Sequence, residues 1–169
     1  MLIRPTLERD IQWLPDVERS AAQAFAGWPA LAWLAQGDVL DGAAHRAFIE
    51  AGGSWVAVDS AGCIVGFACA RFEGQVLHLH EISVRQQAQG QGVGRRLLQQ
   101  VVDVARQGGA SELTLTTFVE VPWNAPFYLR YGFEVLDEGL LSERLRGILA
   151  REHAHGLNGR CAMRYRICP

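Results

Sequence analysis

The spacing of hydrophobic residues switches between strand and helix periods along the chain. Residues 2–4 predict a short edge strand that stops at Pro5. Thr6 then stands where a helix cap is expected. The helix that follows carries apolar residues on one side at helical spacing, namely Ile11, Leu14, Val17, Ala21 and Phe25. A less regular helical region is predicted over residues 31–49, with an interruption near Gly37.

Three strands joined by tight turns are predicted next. They cover residues 54–58, 64–72 and 76–84, separated by turns rich in Gly, Asp and Ser. Because these turns are too short for crossover connections, the strands should form an antiparallel meander.

The second half of the chain alternates between the helix period and the strand period of apolar spacing. Helices are predicted over 93–107, 124–131 and 140–153, and strands over 112–118, near 132–135 and over 160–167. The fold class is therefore α+β. No repeat, low-complexity tract or linker interrupts the pattern, which predicts one domain over residues 1–169.

The amino-acid composition excludes several classes of protein. Apolar residues make up 49% of the chain and charged residues 20%, which excludes collagen, coiled coil and disorder. A net charge of −2 gives no basic surface for nucleic acid. No apolar run approaches the roughly 20 residues of a membrane helix, and no signal peptide pattern opens the chain. We therefore expect a cytoplasmic protein without a membrane or nucleic-acid partner.

The chain lacks the residues of several common sites. All 16 basic residues are Arg, which excludes a Walker phosphate loop and a Schiff-base lysine. The cysteines form no Cys-x-x-Cys motif and the histidines have no ligand set at zinc spacing, so we expect no metal. The four cysteines are expected to be reduced thiols on strands: Cys63, Cys69, Cys161 and Cys168.

A glycine-rich loop lies between a predicted strand and a long helix. Exposed backbone amides at a helix start attract anions, and glycine lets the backbone approach a pyrophosphate closely. The dinucleotide fingerprint Gly-x-Gly-x-x-Gly fails here, because its third glycine is replaced by Arg95. The loop residues are Gln89, Gly90, Gln91, Gly92, Val93, Gly94 and Arg95. Alone, the loop is equally compatible with a structural turn.

Two motifs in this order give the chain a family resemblance. Gln89-x-x-Gly92-x-Gly94 resembles the Arg/Gln-x-x-Gly-x-Gly/Ala signature of the GNAT superfamily of acyl-CoA-dependent N-acetyltransferases. The segment from Asn124 through Tyr128 to Gly132-Phe133 resembles the second motif of that family. The resemblance implies a mostly antiparallel mixed sheet, splayed at the cofactor cleft and flanked by helices.

The resemblance also implies how acetyl-CoA would bind. The backbone of Ile82, Ser83 and Val84 would pair with the pantetheine arm, and the amides of residues 89–95 would hold the pyrophosphate. Asn124 would face the pantetheine or the sulfur, and it is also placed to cap the following helix.

The reaction needs a base for the amine and an acid for the departing thiolate. The resemblance gives Tyr128 the role of acid. Base candidates are His78, His80 and Glu81, and the two histidines, spaced by one residue, resemble a proton relay of the arylalkylamine N-acetyltransferases. Strict strand alternation puts both histidines on one face and Glu81 on the other, unless a bulge reverses its direction.

The sequence gives the least information about the acceptor substrate and its pocket. Aromatic residues at 25, 28 and 33 and the region 140–155 suit the walls of an acceptor pocket or an ordinary core. Residues 141, 145, 148 and 149 form an apolar stripe that covers the sheet or meets a second subunit of a homodimer. Three functions stay open: acetylation of a small primary amine, acetylation of a peptide or protein amine, and a non-catalytic acyl-CoA-binding module.

Overall fold

The computed structural model describes residues 1–167, which form strands and helices close to the predicted order. Short 3-10 helices cover Glu8–Trp13, Gln23–Gly27, Pro29–Gln36, Gln86–Ala88 and Glu138–Leu140. The main elements are β1 (Leu2–Pro5), α1 (Leu14–Ala22), α2 (Gly42–Glu50), β2 (Ser54–Val58), β3 (Ile64–Glu73), β4 (Val76–Val84), α3 (Val93–Gln107), β5 (Glu112–Phe118), α4 (Ala125–Tyr131), β6 (Glu134–Val135), α5 (Glu143–Ala154) and β7 (Arg160–Arg166).

Within residues 1–167, seven strands form one mixed sheet in the order β1-β2-β3-β4-β5-β7-β6. The pairs β1/β2, β2/β3, β5/β7 and β6/β7 are antiparallel, whereas β4 and β5 are parallel. The parallel ladder of β4 and β5 comprises three residue pairs and ends at His78 and Thr114. The predicted α+β class with an open mixed sheet is confirmed.

The chain divides into two compact units. The first unit contains residues 1–71 and 79–104, and the second contains residues 72–78 and the chain from Ala105 onward. The assignment of residues 1–169 to one acetyltransferase domain stays a prediction. Among the described residues, none of the helices combines the length and apolar character that a membrane-spanning segment needs.

In the first unit, helices α1 and α2 cover one face of β2 and β3. Their shared core cluster consists of Leu14, Val17, Phe48, Val56, Ile64, Phe67 and Cys69. Gly66 precedes Phe67 on the strand and therefore faces the other way. A Cβ atom at Gly66 would lie 2.9 Å from the Ser83 carbonyl oxygen and 3.1 Å from the Leu97 side chain. Helix α3 can approach that face closely because position 66 has no side chain.

The predicted Thr6 helix cap is wrong. The first turn is a 3-10 helix that begins after Leu7, and the Leu7 amide donates to the Asp10 carboxylate at 2.8 Å. Arg4 holds the same carboxylate through bonds of 2.6 and 3.0 Å. The Thr6 hydroxyl instead accepts a bond from the Ser54 hydroxyl at 2.7 Å. The Asp10 carboxylate, and not the Thr6 hydroxyl, therefore accepts a backbone amide at the start of this helix.

The last helix begins later than its apolar pattern predicts. Leu140 belongs to a separate 3-10 turn, and α5 starts at Glu143 because the Ser142 hydroxyl caps it by accepting from the Leu145 amide. The Cys63 thiol lies in the turn before β3, not on a strand, whereas Cys69 and Cys161 lie on β3 and β7 as predicted. These three thiols are free, and Cys168 lies outside the described residues.

In the second unit, α5 covers strand β7. Leu145 packs with Leu136 and Ala162, and the remaining members of the predicted apolar stripe pack around them, namely Leu141, Ile148 and Leu149. Glu152 of α5 forms a salt bridge of 2.8 Å with Arg160 of β7. The stripe therefore covers the sheet of its own chain, and a homodimer stays a prediction.

A histidine without hydrogen bonds lies in the core of the first unit. The side chain of His45 on α2 is fully buried, and neither ring nitrogen has a hydrogen-bond partner among residues 1–167. Its ring stands edge-on to Phe67, with centroids 5.1 Å apart. Burial lowers the pKa of His45, and the negative charge of Asp41 opposes this effect. The ring is therefore held neutral.

We expect His45 to make the protein less stable in acid. The unfolded chain binds a proton on this ring more readily than the native state does, so the free energy of unfolding falls as pH decreases below about 6.5. Urea unfolding at pH 7.5 and 5.5 should show a smaller loss of stability in His45→Leu than in the wild type. The exposed His153 provides the control, since His153→Gln should keep the wild-type loss. Equal losses in His45→Leu and the wild type would contradict this account.

Candidate active site

The glycine-rich loop extends from the end of β4 to the start of α3. Residues Gln89–Gly92 are exposed, and Gly90 and Gly92 have φ angles of +73° and +80°. A Cβ atom at either glycine would meet nothing within 4 Å. Glycine is therefore favoured because the backbone is left-handed, and not because a side chain would clash. The side chain of Gln89 donates to the Val84 carbonyl at 3.0 Å, which ties the loop to the end of β4.

The loop leads into a well-anchored helix start. Val93, the first residue of α3, is 1% exposed, and the Arg96 amide donates to the Gly92 carbonyl at 3.1 Å. Gly94 is half-buried, and the Arg95 side chain is exposed. An exposed turn of glycines at the start of a 15-residue helix directs backbone amides and the positive end of the helix dipole outward. This arrangement fits a diphosphate.

Strand β4 carries the predicted cofactor and base residues just before the loop. Ile82 and Val84 are half-buried, whereas Ser83 is buried. The Ser83 hydroxyl donates to Glu81 Oε1 at 2.8 Å, which fixes the orientation of that carboxylate.

A second carboxylate, which the sequence analysis did not identify, lies near Glu81. Burial raises the pKa of Glu18 on α1 to about 7, and the negative charge of Glu81 adds to this rise. The Leu40 amide donates to Glu18 Oε2 at 3.0 Å. The sequence holds one signal, because Glu18 interrupts the apolar stripe four residues after Leu14.

His78 is enclosed in a hydrogen-bonded group of the second unit. Its Nδ1 lies 2.9 Å from the hydroxyl of Thr114, which also accepts a bond of 3.1 Å from Arg144. Arginine only donates, and the Thr114 hydroxyl has one proton and two acceptor lone pairs, so it can serve His78 Nδ1 either as donor or as acceptor. The Nδ1 atom is therefore already engaged, and His78 is only 3% exposed, which favours a structural role for this ring.

His80 lies in the first unit and is exposed. Its ring centroid is 5.1 Å from that of Phe48 on α2. Glu81 interacts electrostatically with Glu18 on α1, so both consecutive residues lie near the two helices that share one core cluster. Strict strand alternation does not place both residues there.

The second unit contains the predicted acid and Asn124. Tyr128 on α4 is 7% exposed and packs edge-on against Phe127 and Phe133, with centroids 5.1 and 5.4 Å away. Asn124 directly precedes α4, but its side chain makes no capping bond. Its Oδ1 accepts a bond of 2.7 Å from the Thr117 hydroxyl instead, so the expected side-chain cap is absent.

The structure thus divides the predicted site residues between the units. The first unit holds His80, Glu81 and residues 82–84 and 89–95, and the second holds His78, Asn124 and Tyr128. Among the suggested aromatic wall residues, Phe25 and Trp28 are half-buried and Trp33 is 49% exposed. Within residues 1–167, no group of three or more His, Cys, Asp or Glu side chains is placed to hold a metal ion.

Known proteins share this fold. Rv2747 from Mycobacterium tuberculosis, solved in complex with CoA, has a TM-score of 0.73 at 15% identity, covering 99% of this chain and 100% of that one. A ribosomal-protein-alanine N-acetyltransferase from Brucella melitensis has a TM-score of 0.67 at 20% identity, covering 98% and 99%. Nourseothricin acetyltransferase has 28% identity and a TM-score of 0.50, covering 69% of this chain and 65% of that one.

The match at the level of sequence is more specific than the shared fold. The model of the acetyltransferase (GNAT) family matches residues 14–133, a range that includes α1, the glycine-rich loop and all of α4. The chain therefore belongs to the GNAT acetyltransferase family.

Proposed function

We propose that the protein transfers an acetyl group from acetyl-CoA directly to the primary amine of a small molecule. The observation that carries the proposal is the family match over residues 14–133, together with the left-handed glycines of an exposed loop at the start of α3. The resemblance to arylalkylamine N-acetyltransferases suggests a mechanism and leaves the identity of the amine open.

The loop would hold the diphosphate of the cosubstrate. Backbone amides of residues 90–95 offer several donors, whereas the Gln89 amide already donates to the Gln86 carbonyl at 3.2 Å. The exposed Arg95 adds positive charge. The backbone of residues 82–84 would pair with the pantetheine arm, and Asn124 would contact it through its side chain. Acetyl-CoA supplies the activated acetyl group when it is bound.

The acceptor must lose a proton before or during attack. An alkylamine with a pKa of about 10.4 is neutral in roughly one molecule in 2,500 at pH 7, which corresponds to about 4.6 kcal/mol. In the balanced reaction a C–N bond forms, the C–S bond breaks, the amine gives up a proton and the sulfur gains one. The protein therefore needs one proton acceptor and one proton donor.

We assign the acceptor role to Glu81, acting directly or through one water. Its carboxylate is oriented by Ser83 at 2.8 Å, whereas the Nδ1 of His78 is engaged by Thr114. His80 is the alternative base, because it is exposed and an imidazole titrates near neutral pH. Tyr128 is the proposed donor to the departing thiolate, and its phenol is a weak acid suited to that step.

A small-molecule acceptor is favoured over a protein by one comparison. Nourseothricin acetyltransferase, 28% identical to this chain, is named for nourseothricin and not for a protein. The ribosomal-protein-alanine N-acetyltransferase, 20% identical, supports the peptide alternative. A cytoplasmic location stays a prediction.

Thiol release from acetyl-CoA tests the proposal against both alternatives. We expect turnover with small primary amines that exceeds turnover with peptides bearing a free N-terminus. A preference for the peptides would mean that the acceptor is a peptide or protein amine and not a small molecule. Tight CoA binding without turnover of any amine would instead indicate a non-catalytic acyl-CoA-binding module.

Gly92→Asp should weaken CoA binding by at least tenfold, because it adds a negative charge and a strained side chain where the diphosphate is proposed to bind. Gly62→Asp is the matched control, since Gly62 has a φ of +82° in the exposed turn before β3. Calorimetric affinities for CoA should differ between these two variants at similar melting temperatures. Equal affinities would place the diphosphate elsewhere.

Tyr128→Phe should lower kcat by roughly 10²–10⁴-fold with little change in CoA affinity, as expected for loss of a general acid. Tyr131→Phe removes a hydroxyl from the same helix and should leave kcat within about threefold. Steady-state kinetics of both variants provide the check. An unchanged kcat in Tyr128→Phe would remove this residue from the mechanism.

Glu81→Gln should lower kcat by roughly 10²-fold or more, because the amide cannot accept the proton of the amine. His80→Gln should lower kcat by less than tenfold if Glu81 is the base. We would measure the pH profile of kcat/KM for both variants with one amine. The reverse order of effects would assign the base to His80.

A further inference from the structure

Thr117 and Asn124 form a hydrogen-bonded side-chain pair in the second unit. Thr117 lies on β5 and is 4% exposed, and its hydroxyl donates to Asn124 Oδ1 at 2.7 Å. The backbone of Thr117 is held in the β5/β7 ladder, where Cys161 is its partner. The hydroxyl is therefore presented by a fixed strand, and a bond this short places the Asn124 side chain relative to β5.

The start of α4 does not use the Asn124 side chain. The Asn124 backbone carbonyl accepts the amides of Phe127 and Tyr128 at 2.8 and 3.2 Å. Pro126, the second residue of α4, has no amide hydrogen that needs a cap. An asparagine before a helix ordinarily accepts one of these first amides with Oδ1. Here Oδ1 is bonded to a strand instead, so the orientation of this side chain serves something other than the helix start.

The amide nitrogen of Asn124 still has its donors. Among residues 1–167, no acceptor lies within hydrogen-bond distance of Nδ2. The residue is half-buried, and Nδ2 itself is not fully buried. Because the carboxamide is planar, a bond that fixes Oδ1 also fixes the direction of the two N–H groups. The pair thus holds two accessible donors in a defined orientation.

We propose that Thr117 is a positioning residue for the cosubstrate, which holds Asn124 Oδ1 and thereby directs the Asn124 N–H groups to a carbonyl oxygen of the pantetheine arm. The inference rests on the proposed binding of acetyl-CoA. The arm contains amide carbonyl groups, which accept bonds from N–H groups. A side chain that is already oriented loses less rotamer freedom when the arm binds, and the affinity is higher as a result.

Thr117→Val removes the hydroxyl and keeps the branched shape of the side chain. It should weaken calorimetric binding of CoA at least fivefold and raise KM for acetyl-CoA by a similar factor, with kcat within about threefold of the wild type. Thr117→Ser keeps the hydroxyl and should bind CoA within about twofold of the wild type. If valine prevents folding, Thr117→Ala carries the same expectation.

Thr116 provides the matched control on the same strand. Its hydroxyl donates to Glu152 at 2.6 Å, on the opposite face of β5. Thr116→Val therefore also removes a side-chain hydrogen bond from β5 and should lower the melting temperature. Its affinity for CoA should stay within about twofold of the wild type.

A double variant tests whether Thr117 acts through Asn124. Asn124→Ala should weaken CoA binding at least fivefold, and adding Thr117→Val should change the affinity by less than about twofold more, because no carboxamide remains to be oriented. Asn124→Asp keeps an oxygen for the Thr117 hydroxyl but has no N–H donors. It should bind CoA no better than Asn124→Ala does.

The outcomes separate this inference from the proposed reaction. Wild-type affinity in Thr117→Val or Asn124→Asp would overturn the role of Thr117. Equal losses in Thr117→Val and either Thr117→Ser or Thr116→Val, or independent effects in the double variant, would also overturn it. Calorimetry with CoA needs no amine, so CoA binding without turnover would reject the acetyl transfer alone. A wild type that binds no CoA would reject both proposals.

Discussion

The close approach of helix α3 to the sheet at Gly66 is the constraint on which the candidate site depends. A side chain at this position would meet the Ser83 carbonyl oxygen at 2.9 Å and the Val93 side chain at 3.3 Å. Val93 is also where the glycine-rich loop ends and the helix begins. The packing that buries the first turn of α3 therefore also fixes the position of the loop amides. Because protein interiors are close-packed, a displacement of α3 would not be absorbed without moving this loop.

Within residues 1–167, several acidic side chains form salt bridges that support the fold, whereas Glu18 does not. Asp10 is held by Arg4, Glu152 by Arg160, and Glu134 by Arg164 and Arg166. Each of these pairs joins segments that must stay together, such as α5 and β7. Glu18 lies in a chain whose 16 basic residues are all arginine, yet none of them in the described range forms a salt bridge with it. Burial and the nearby charge of Glu81 disfavour the ionised form of Glu18, which is why the pKa of this carboxyl lies above its usual range.

Local periodicity was sufficient to predict much of the fold. The strands at 54–58, 76–84 and 112–118 and the helix at 93–107 have the predicted bounds, because apolar spacing changes sharply at their ends. The cap at Thr6 and the helix start at Leu140 were missed because nearby side chains, Asp10 and Ser142, offered competing hydrogen bonds. The motifs located the loop and Tyr128, whereas Glu18 was missed because its raised pKa comes from burial in the fold and from the charge of Glu81, which is far along the chain. Periodicity reports which face a residue occupies and not which charge it meets there.

Strand β4 illustrates the same distinction for the base. Its repeated His-x-His pattern suggests a relay, but the structure gives the two histidines different surroundings. His78 is 3% exposed and bonded to Thr114, while His80 is exposed and lies beside Phe48. The Nδ1 atom of His78 is hydrogen-bonded to a buried hydroxyl that also accepts a bond from Arg144, and this engagement favours a structural role for the ring. Glu81 has its orientation set by one neighbour and its electrostatic environment set by another, Ser83 and Glu18. Such separate control of geometry and charge is what a general base requires, and it makes the carboxylate the stronger assignment.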